Sequence, residues 1–219
     1  TGGGGVTPVS FAAAPWHRGC GRAVVTPAET WDYDRLAEAV AVRADRLRAL
    51  GLAPGELVLV AEDTGLDLIL MQHALARLGA ALMPLPQGLA PDLGHGLAAL
   101  TSAEWAWSPG RPGHLTRLTP GPAGSSPWTG SPLALVIATS GSSGTPKAVM
   151  LTQANVLASA TQVNARLGLG PGDLWLCCLP RHHIGGLAIA YRCALAGAGV
   201  LLHPGFDADA VAAALRTHP

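Results

Sequence analysis

The apolar residues of this chain recur first at helical spacing and then in short continuous runs. Between Asp34 and Leu50 they fall near one face of a helix, with charged residues between them: Leu36, Ala39, Val40, Leu47 and Leu50. The turn-forming stretch "GLAPGE" follows, and "ELVLVA" at Glu56–Ala61 then forms an unbroken apolar run, which is typical of a buried strand. The pattern therefore predicts a helix followed by a strand.

The same alternation continues to the end of the sequence. Further helices are predicted at about 67–78, 91–100, 153–167, 185–199 and 207–218. Further strands are predicted at 80–85, 104–108, 133–139, 148–152, 173–180 and 200–204. Alternating strands and helices indicate an α/β fold, with parallel-sheet layers flanked by helices.

One long stretch departs from this alternation. From Ser108 to Pro132, fifteen of twenty-five residues are Pro, Gly or Ser. Such a composition predicts a surface connection rather than a packed element.

The charge balance narrows the range of partners. Fourteen basic and fourteen acidic residues cancel, and they form no block of one sign, so a nucleic-acid surface or an anionic membrane is not expected. The apolar runs are too short to span a bilayer, and no secretory segment opens the chain, so we expect a cytoplasmic protein with a small-molecule partner. The four cysteines, at 20, 177, 178 and 193, lack metal-knuckle spacing and are interpreted as small buried hydrophobes. No metal site made only of protein side chains is predicted.

The stretch "ATSGSSGTPKAV", Ala138–Val149, carries the clearest chemistry, and its Lys147 is the only lysine in the chain. It begins where a buried strand is predicted to end, which is where α/β folds bind ligands. Gly141 and Gly144 let successive N–H groups turn toward an anion. Hydroxyl donors accompany them at Thr139, Ser140, Ser142, Ser143 and Thr145. The stretch therefore predicts a phosphate-binding loop, the alternative being an exposed Gly/Ser turn, and its spacing is not that of the common P-loop.

The same loop resembles the phosphate-loop signature of the adenylate-forming superfamily of acyl-CoA synthetases and related enzymes. Three other stretches are similar to that family in the same order: "TWDYDRLAEAVAVRADRLRALGLAPGELV", "DLILMQHALARLGAALMPL" and "LPRHHIGGL". The resemblance extends from Trp31 to His218. Among the subfamilies, the o-succinylbenzoate CoA ligases are the most similar.

The resemblance implies that residues 31–219 form an incomplete AMP-binding N-terminal domain, after an N-terminal segment, 1–30, with a frayed start. The family's mobile C-terminal domain is absent from this sequence. In the family, ATP and a carboxylic acid give an acyl-adenylate, which is then transferred to coenzyme A. ATP, Mg²⁺ and coenzyme A are therefore the implied cofactors and co-substrates.

The missing part of the family pattern sets a further expectation. The isolated chain is expected to be an inactive fragment, pairing with the missing C-terminal portion or forming a homo-oligomer. The alternative is a non-catalytic nucleotide-binding or interaction module derived from such an enzyme.

The family's functional residues map onto two places in this sequence. The family positions that hold the β and γ phosphates correspond here to Thr139, Ser140, Gly141, Ser142, Ser143, Gly144 and Lys147. Thr145 adds a hydroxyl. The departures are Ala138 in place of a frequent aromatic residue and Ala148 in place of the usual glycine. Lys147 is one implied catalytic residue.

His183 is the other implied catalytic residue, because it matches the family residue that gates the acyl pocket. The alternative is a capped or core histidine. Gly185 and Gly186 either admit a ligand or simply begin a helix. Arg192 either meets a second carboxylate of the substrate or complements a helix end. The implied substrate residues are thus His183, Gly185, Gly186 and Arg192.

Overall fold

The computed structural model describes residues 21–61, 65–86, 88–89, 91–107, 115–118, 132–139 and 147–218. Strands in these ranges are Arg22–Val25 (β1), Thr30–Asp32 (β2), Leu57–Ala61 (β3), Ala81–Leu85 (β4), Trp105–Trp107 (β5), Leu115–Arg117 (β6), Leu133–Thr139 (β7), Lys147–Thr152 (β8), Leu174–Cys177 (β9) and Gly199–Leu202 (β10). Helices are Tyr33–Ala49 (α1), Gly65–Leu78 (α2), Pro91–Thr101 (α3), Gln153–Leu167 (α4), Ile184–Ala196 (α5) and Ala208–Thr217 (α6). The predicted α/β class is confirmed.

The strands form two sheets. One has four strands in the order β2-β1-β10-β9, and the other has six in the order β6-β5-β3-β4-β7-β8. The inner strands of both sheets run parallel. The edge strands β2, β6 and β8 pair antiparallel with their neighbours.

The core follows the alternation of side chains along each strand. In β3, Val58 and Val60 belong to the larger apolar cluster, which joins helices α1, α2 and α5 to both sheets. Leu57 and Leu59 point to the opposite face and pack in a second cluster that contains Leu97 of α3. Strands buried on both faces explain why the sequence shows continuous apolar runs here.

Local signals set the helix ends. The side chain of Asp32 caps α1 by accepting from the N–H of Arg35 at 2.8 Å. Thr152 and Asn155 form a reciprocal capping box at the start of α4. Gly79, directly after α2, has a φ of 70°, a conformation that glycine adopts without strain.

Several expectations need correction. The predicted elements do not include strands β1 and β2, because both are short and β1 pairs with β10, which lies far along the chain. Residues 22–25 of the expected N-terminal segment pair with β10, through Val24 and Val200. The strand expected at 173–180 ends at Cys177, before the turn that contains Pro180.

The connection expected from 108 to 132 contains a packed element. Strand β6 pairs with β5, with Arg117 opposite Trp105, and the Arg117 guanidinium lies 5.0 Å from the centre of a Trp105 ring. This cross-strand contact stabilises a strand that the Pro/Gly/Ser composition hides. Residues 108–114 and 119–131 lie outside the described ranges.

Candidate functional site

The hairpin of β7 and β8 holds the two ends of the predicted phosphate loop. The strands pair antiparallel up to Thr139 opposite Lys147, and the Thr139 hydroxyl donates to the main-chain oxygen of Lys147 at 3.4 Å. Both residues are exposed. Lys147, expected on a surface loop, is instead the first residue of β8. Its backbone is therefore fixed by the strand, while its ammonium group lies at the sheet edge.

The remaining predicted loop residues lie outside the described ranges; they are Ser140, Gly141, Ser142, Ser143, Gly144 and Thr145. The described residues on either side of this stretch are Thr139 and Lys147. Strand β7 runs parallel to β4, which runs parallel to β3. Thr139 therefore ends β7 at the carboxyl edge of the parallel strands, where α/β folds bind ligands.

His183 lies at the first turn of α5, as its N-cap residue. Its main-chain oxygen accepts from Leu187 at 3.0 Å, but its side chain makes no capping hydrogen bond. The His183 ring is exposed, with its centroid 4.3 Å from that of His182. It is therefore neither a core histidine nor a side-chain cap, and its imidazole is accessible to a ligand.

The two glycines after His183 differ in their surroundings. Gly186 is buried, and a Cβ atom there would lie 2.6 Å from the main-chain oxygen of Pro180 and 2.9 Å from that of Leu179. Gly185 is exposed, and a Cβ atom there would lie 3.5 Å from Leu179 Cδ1. Gly186 therefore lets α5 pack closely on the preceding turn, and its place against a substrate stays a prediction.

A cavity of about 250 Å³ lies between α4 and α5. Its lining residues are Leu151, Asn155, Val156, Ser159, Ala160, Ile184, Ala188, Tyr191 and Arg192. Most of this lining is apolar, and the small side chains Ser159, Ala160 and Ala188 leave space between the helices. An apolar cavity with a few polar groups is typical of a site for a small organic ligand.

Arg192 supplies the positive charge of this cavity. Its guanidinium carbon lies 5.5 Å from the centre of a Trp175 ring, and the side chain is half-buried. The Nε atom is buried and has no hydrogen-bond partner among the described residues. An arginine with an unused buried donor is suited to bind an anion.

Strand β8 connects the phosphate loop to the cavity. It begins at Lys147, and its residue Leu151 lines the cavity. Four residues of extended chain span about 13 Å. A molecule with a phosphate at Lys147 and an acyl group in the cavity can therefore lie along one strand.

The cavity contains residues that the sequence reasoning did not identify. Asn155 and Ser159 lie one turn apart on α4, and Tyr191 precedes Arg192 on α5. Their only sequence signal is helical spacing, which core residues share. The cavity could therefore be recognised only from the packing of the two helices.

Buried titratable groups near α5 are held in their neutral forms. Burial lowers the pKa of His73 to about 4 and raises the pKa of the Cys193 thiol to about 12. Burial also raises the pKa of Cys177. Both thiols are therefore poor nucleophiles, in keeping with their interpretation as small hydrophobic side chains.

Two further observations concern the described part of the chain. Its His, Cys, Asp and Glu side chains form no group of three that suits a metal ion. In the same ranges, every helix is too short or too polar to cross a membrane.

Known proteins that are similar to this chain share one architecture. It is 30% identical over 196 residues to a 2-succinylbenzoate–CoA ligase of Bacillus cereus, a match that covers 84% of this chain and 41% of the relative. Apo MatB from Rhodopseudomonas palustris superposes with a TM-score of 0.80 at 17% identity, over 96% of this chain and 48% of that one. O-succinylbenzoate coenzyme A synthetase from Bacillus subtilis, in complex with ATP and magnesium ion, gives a TM-score of 0.73 at 20% identity, over 90% and 57%. These structures establish the fold, and the chain spans about two fifths of the length of the ligase.

The family match rests on more of the chain than any one motif. A model described as AMP-binding enzyme matches residues 16–97 and 97–219. This range contains the β7–β8 hairpin, Lys147, His183 and the cavity between α4 and α5. The chain belongs to the AMP-binding enzyme family.

Proposed function

We propose that this chain is the ATP-binding, N-terminal part of a ligase that joins a small carboxylic acid to coenzyme A through an acyl-adenylate. The observation that carries the proposal is the path along β8. This strand joins the phosphate-loop end at Lys147 to the cavity wall at Leu151. Adenylation needs such a path, because the acid and the phosphates of ATP must meet.

The phosphate end of the site is the β7–β8 hairpin. The acid's carboxylate attacks the α-phosphorus, and the leaving pyrophosphate gathers negative charge that preorganised donors stabilise. The Lys147 ammonium and the Thr139 hydroxyl are two such donors at the sheet edge. We assign the backbone and hydroxyls of residues 140–145 to the same task.

Magnesium fits this arrangement only as a companion of the nucleotide. The described residues contain no cluster of metal-ligating side chains, and Mg²⁺ commonly binds through substrate phosphates and water. Its chemistry would be to neutralise phosphate charge.

The acid end of the site is the cavity between α4 and α5. Its apolar walls suit a hydrocarbon or aromatic body, and the Arg192 guanidinium suits a carboxylate. His183 precedes Arg192 by nine residues, which corresponds to about 13 Å along a helix. Arginine side chains on helices lean toward the N-terminus, which shortens this gap. An acid with two carboxylates, one near His183 and one at Arg192, therefore fits best, and 2-succinylbenzoate is a compound of this class.

Titration calorimetry on the 219-residue chain tests the two ends separately. We expect ATP and 2-succinylbenzoate each to bind saturably. Lys147→Ala should weaken ATP binding by about tenfold, since it removes a charge-assisted contact, and leave acid binding unchanged. Arg192→Ala should weaken binding of 2-succinylbenzoate and leave ATP binding unchanged. Lys147→Arg is the matched control, because it keeps the charge at the same position.

Opposite results would contradict the proposal. Acid binding that is indifferent to Arg192→Ala would remove the cavity from the site. ATP binding that is indifferent to Lys147→Ala would remove the hairpin. Formation of a coenzyme A thioester, measured with this chain joined to the remaining length of the B. cereus ligase, distinguishes a ligase from a nucleotide-binding module.

A further inference from the structure

Helix α2 contains two adjacent polar side chains in the protein core. Gln72 and His73 are 1% and 3% exposed, whereas the other buried side chains of this helix are apolar. A buried polar side chain is costly unless hydrogen bonds satisfy it. The two residues must therefore be judged by what they contact.

Both residues contact α5. Gln72 Nε2 donates to the main-chain oxygen of Leu187 at 3.4 Å, and its side chain also hydrogen-bonds to the Tyr191 side chain. The His73 ring meets the Tyr191 ring edge to face, with centroids 5.8 Å apart. Leu187 and Tyr191 are one helical turn apart, so Gln72 holds two successive turns of α5.

Tyr191 connects this pair of polar residues to the cavity. Its ring is buried and also lines the cavity between α4 and α5, next to Arg192 in sequence. A ring held by Gln72 at its hydroxyl and by His73 at its face has little freedom to turn. The cavity wall at Tyr191 is thus fixed by residues outside the cavity.

We propose that Gln72 is a positioning residue for acid binding, acting through the Tyr191 hydroxyl and the Leu187 carbonyl. This inference rests on the proposed function of the cavity. Gln72 does not line the cavity. It sets the orientation of the Tyr191 ring and of the α5 turns that carry Ala188 and Arg192. Preorganisation of this kind raises affinity because the protein does not have to order the wall when the ligand binds.

A double-mutant cycle tests the proposal. Gln72→Met keeps the length of the side chain and removes its hydrogen bonds, and Tyr191→Phe removes the phenol hydroxyl. We expect each single change to weaken 2-succinylbenzoate binding by about fivefold, within the range for one lost buried hydrogen bond. The double variant should bind 2-succinylbenzoate about as well as the single variant with the lower affinity, because the two groups act as one unit.

ATP affinity separates positioning from a general loss of structure. Binding of ATP should be the same in all four proteins, because the contacts of Gln72 described above are with Leu187 and Tyr191 of α5. Leu75→Ala is the matched control, since Leu75 is buried on the same helix and does not line the cavity. It should lower the melting temperature without changing the affinity for the acid. The inference would be overturned if Gln72→Met left the acid affinity unchanged. It would also be overturned if the losses of the two single variants added together in the double variant.

The same experiment distinguishes failure of the inference from failure of the proposed function. If Arg192→Ala weakens acid binding and Gln72→Met does not, only the inference fails. If the unaltered chain binds no acid, the proposed function fails, and a crystal structure of Gln72→Met decides the inference. A Tyr191 ring that has moved from its place supports positioning by Gln72, and an unmoved ring contradicts it.

Discussion

The Tyr33 hydroxyl donates to the main-chain oxygen of Ala198 at 2.6 Å and to that of Cys193 at 3.0 Å. Tyr33 begins α1, Cys193 lies in α5, and Ala198 directly precedes β10, so one buried phenol joins elements 165 residues apart. It supplies a donor to the Ala198 carbonyl, whereas the Cys193 carbonyl also accepts from the N–H of Ala198 at 3.0 Å. This contact holds α5, and with it the cavity, against the first helix.

Removal of this hydroxyl should destabilise the fold. Tyr33→Phe leaves the ring in the core but removes the hydroxyl donor to the buried Ala198 carbonyl, which costs about 1–3 kcal/mol. Chemical denaturation should show a lower midpoint with an unchanged slope. Val42→Ala, an exposed position on the same helix, is the control and should unfold as the unaltered chain does. Equal stability of Tyr33→Phe would show that the hydrogen bonds contribute nothing net.

The two glycines at the start of α5 should respond oppositely to alanine. Gly186→Ala places a Cβ atom 2.6 Å from the Pro180 oxygen, and overpacking against backbone costs about 1–3 kcal/mol or more. Gly185→Ala meets only a side-chain carbon at 3.5 Å and gains helix propensity. Thermal unfolding should therefore show a lower melting temperature for Gly186→Ala and an equal or higher one for Gly185→Ala. An equal fall in melting temperature for both variants would contradict the close approach of Gly186 to the Pro180 oxygen.

His73 should make stability depend on pH. Its pKa is about 4 in the folded chain, against an ordinary value of 6.5, because burial disfavours the charged imidazolium. Between these values the unfolded chain binds a proton that the folded chain does not. The free energy of unfolding should therefore fall as the pH drops from about 6.5 to about 4, by up to about 3 kcal/mol from this group.

His73→Gln provides the comparison, because glutamine does not titrate. Denaturation at a series of pH values should give a flatter profile for this variant across the same window. Identical profiles for the variant and the unaltered chain would exclude His73 as the source of the dependence.

The cavity between α4 and α5 should be closed by a large side chain. Ala188→Trp places an indole in the space of about 250 Å³ and should abolish binding of 2-succinylbenzoate, measured by titration calorimetry. ATP binding should persist, because Lys147 lies at the other end of β8 from Leu151. Ala99→Trp, at an exposed position on α3, is the control. Undiminished acid binding by Ala188→Trp would place the acid elsewhere.

Much of the secondary structure could be predicted because its causes are local. The helix predicted over 153–167 has the bounds of α4, since its apolar spacing lies within that stretch and its caps, Thr152 with Asn155 and Gly168, lie in it or directly beside it. The candidate phosphate loop could be proposed for the same reason, because its glycines, hydroxyls and Lys147 lie within one short stretch. Strands β1 and β2 lack such signals, and their pairing depends on partners far along the chain.

The residues of the candidate site also divide into those that a local motif signals and those that only the packing reveals. Lys147 and His183 follow from short motifs, whereas Tyr191 and Gln72 look like ordinary core positions in the sequence. Arg192 was recognised as a candidate, but its burial against Trp175 was not. A cavity exists only where two helices meet, so its walls cannot be recognised from either helix alone.

The sequence by itself therefore determined the α/β alternation, the candidate phosphate loop and the resemblance to adenylate-forming enzymes. Only the tertiary structure decided that the strands form two sheets, that Gly186 serves packing, and that Arg192 and Tyr191 share a cavity beside α4. The physical reason is the distance along the chain over which each interaction acts. Periodicity, capping and turn chemistry act between residues a few positions apart, whereas sheet order and cavity shape arise from contacts between residues distant in the chain.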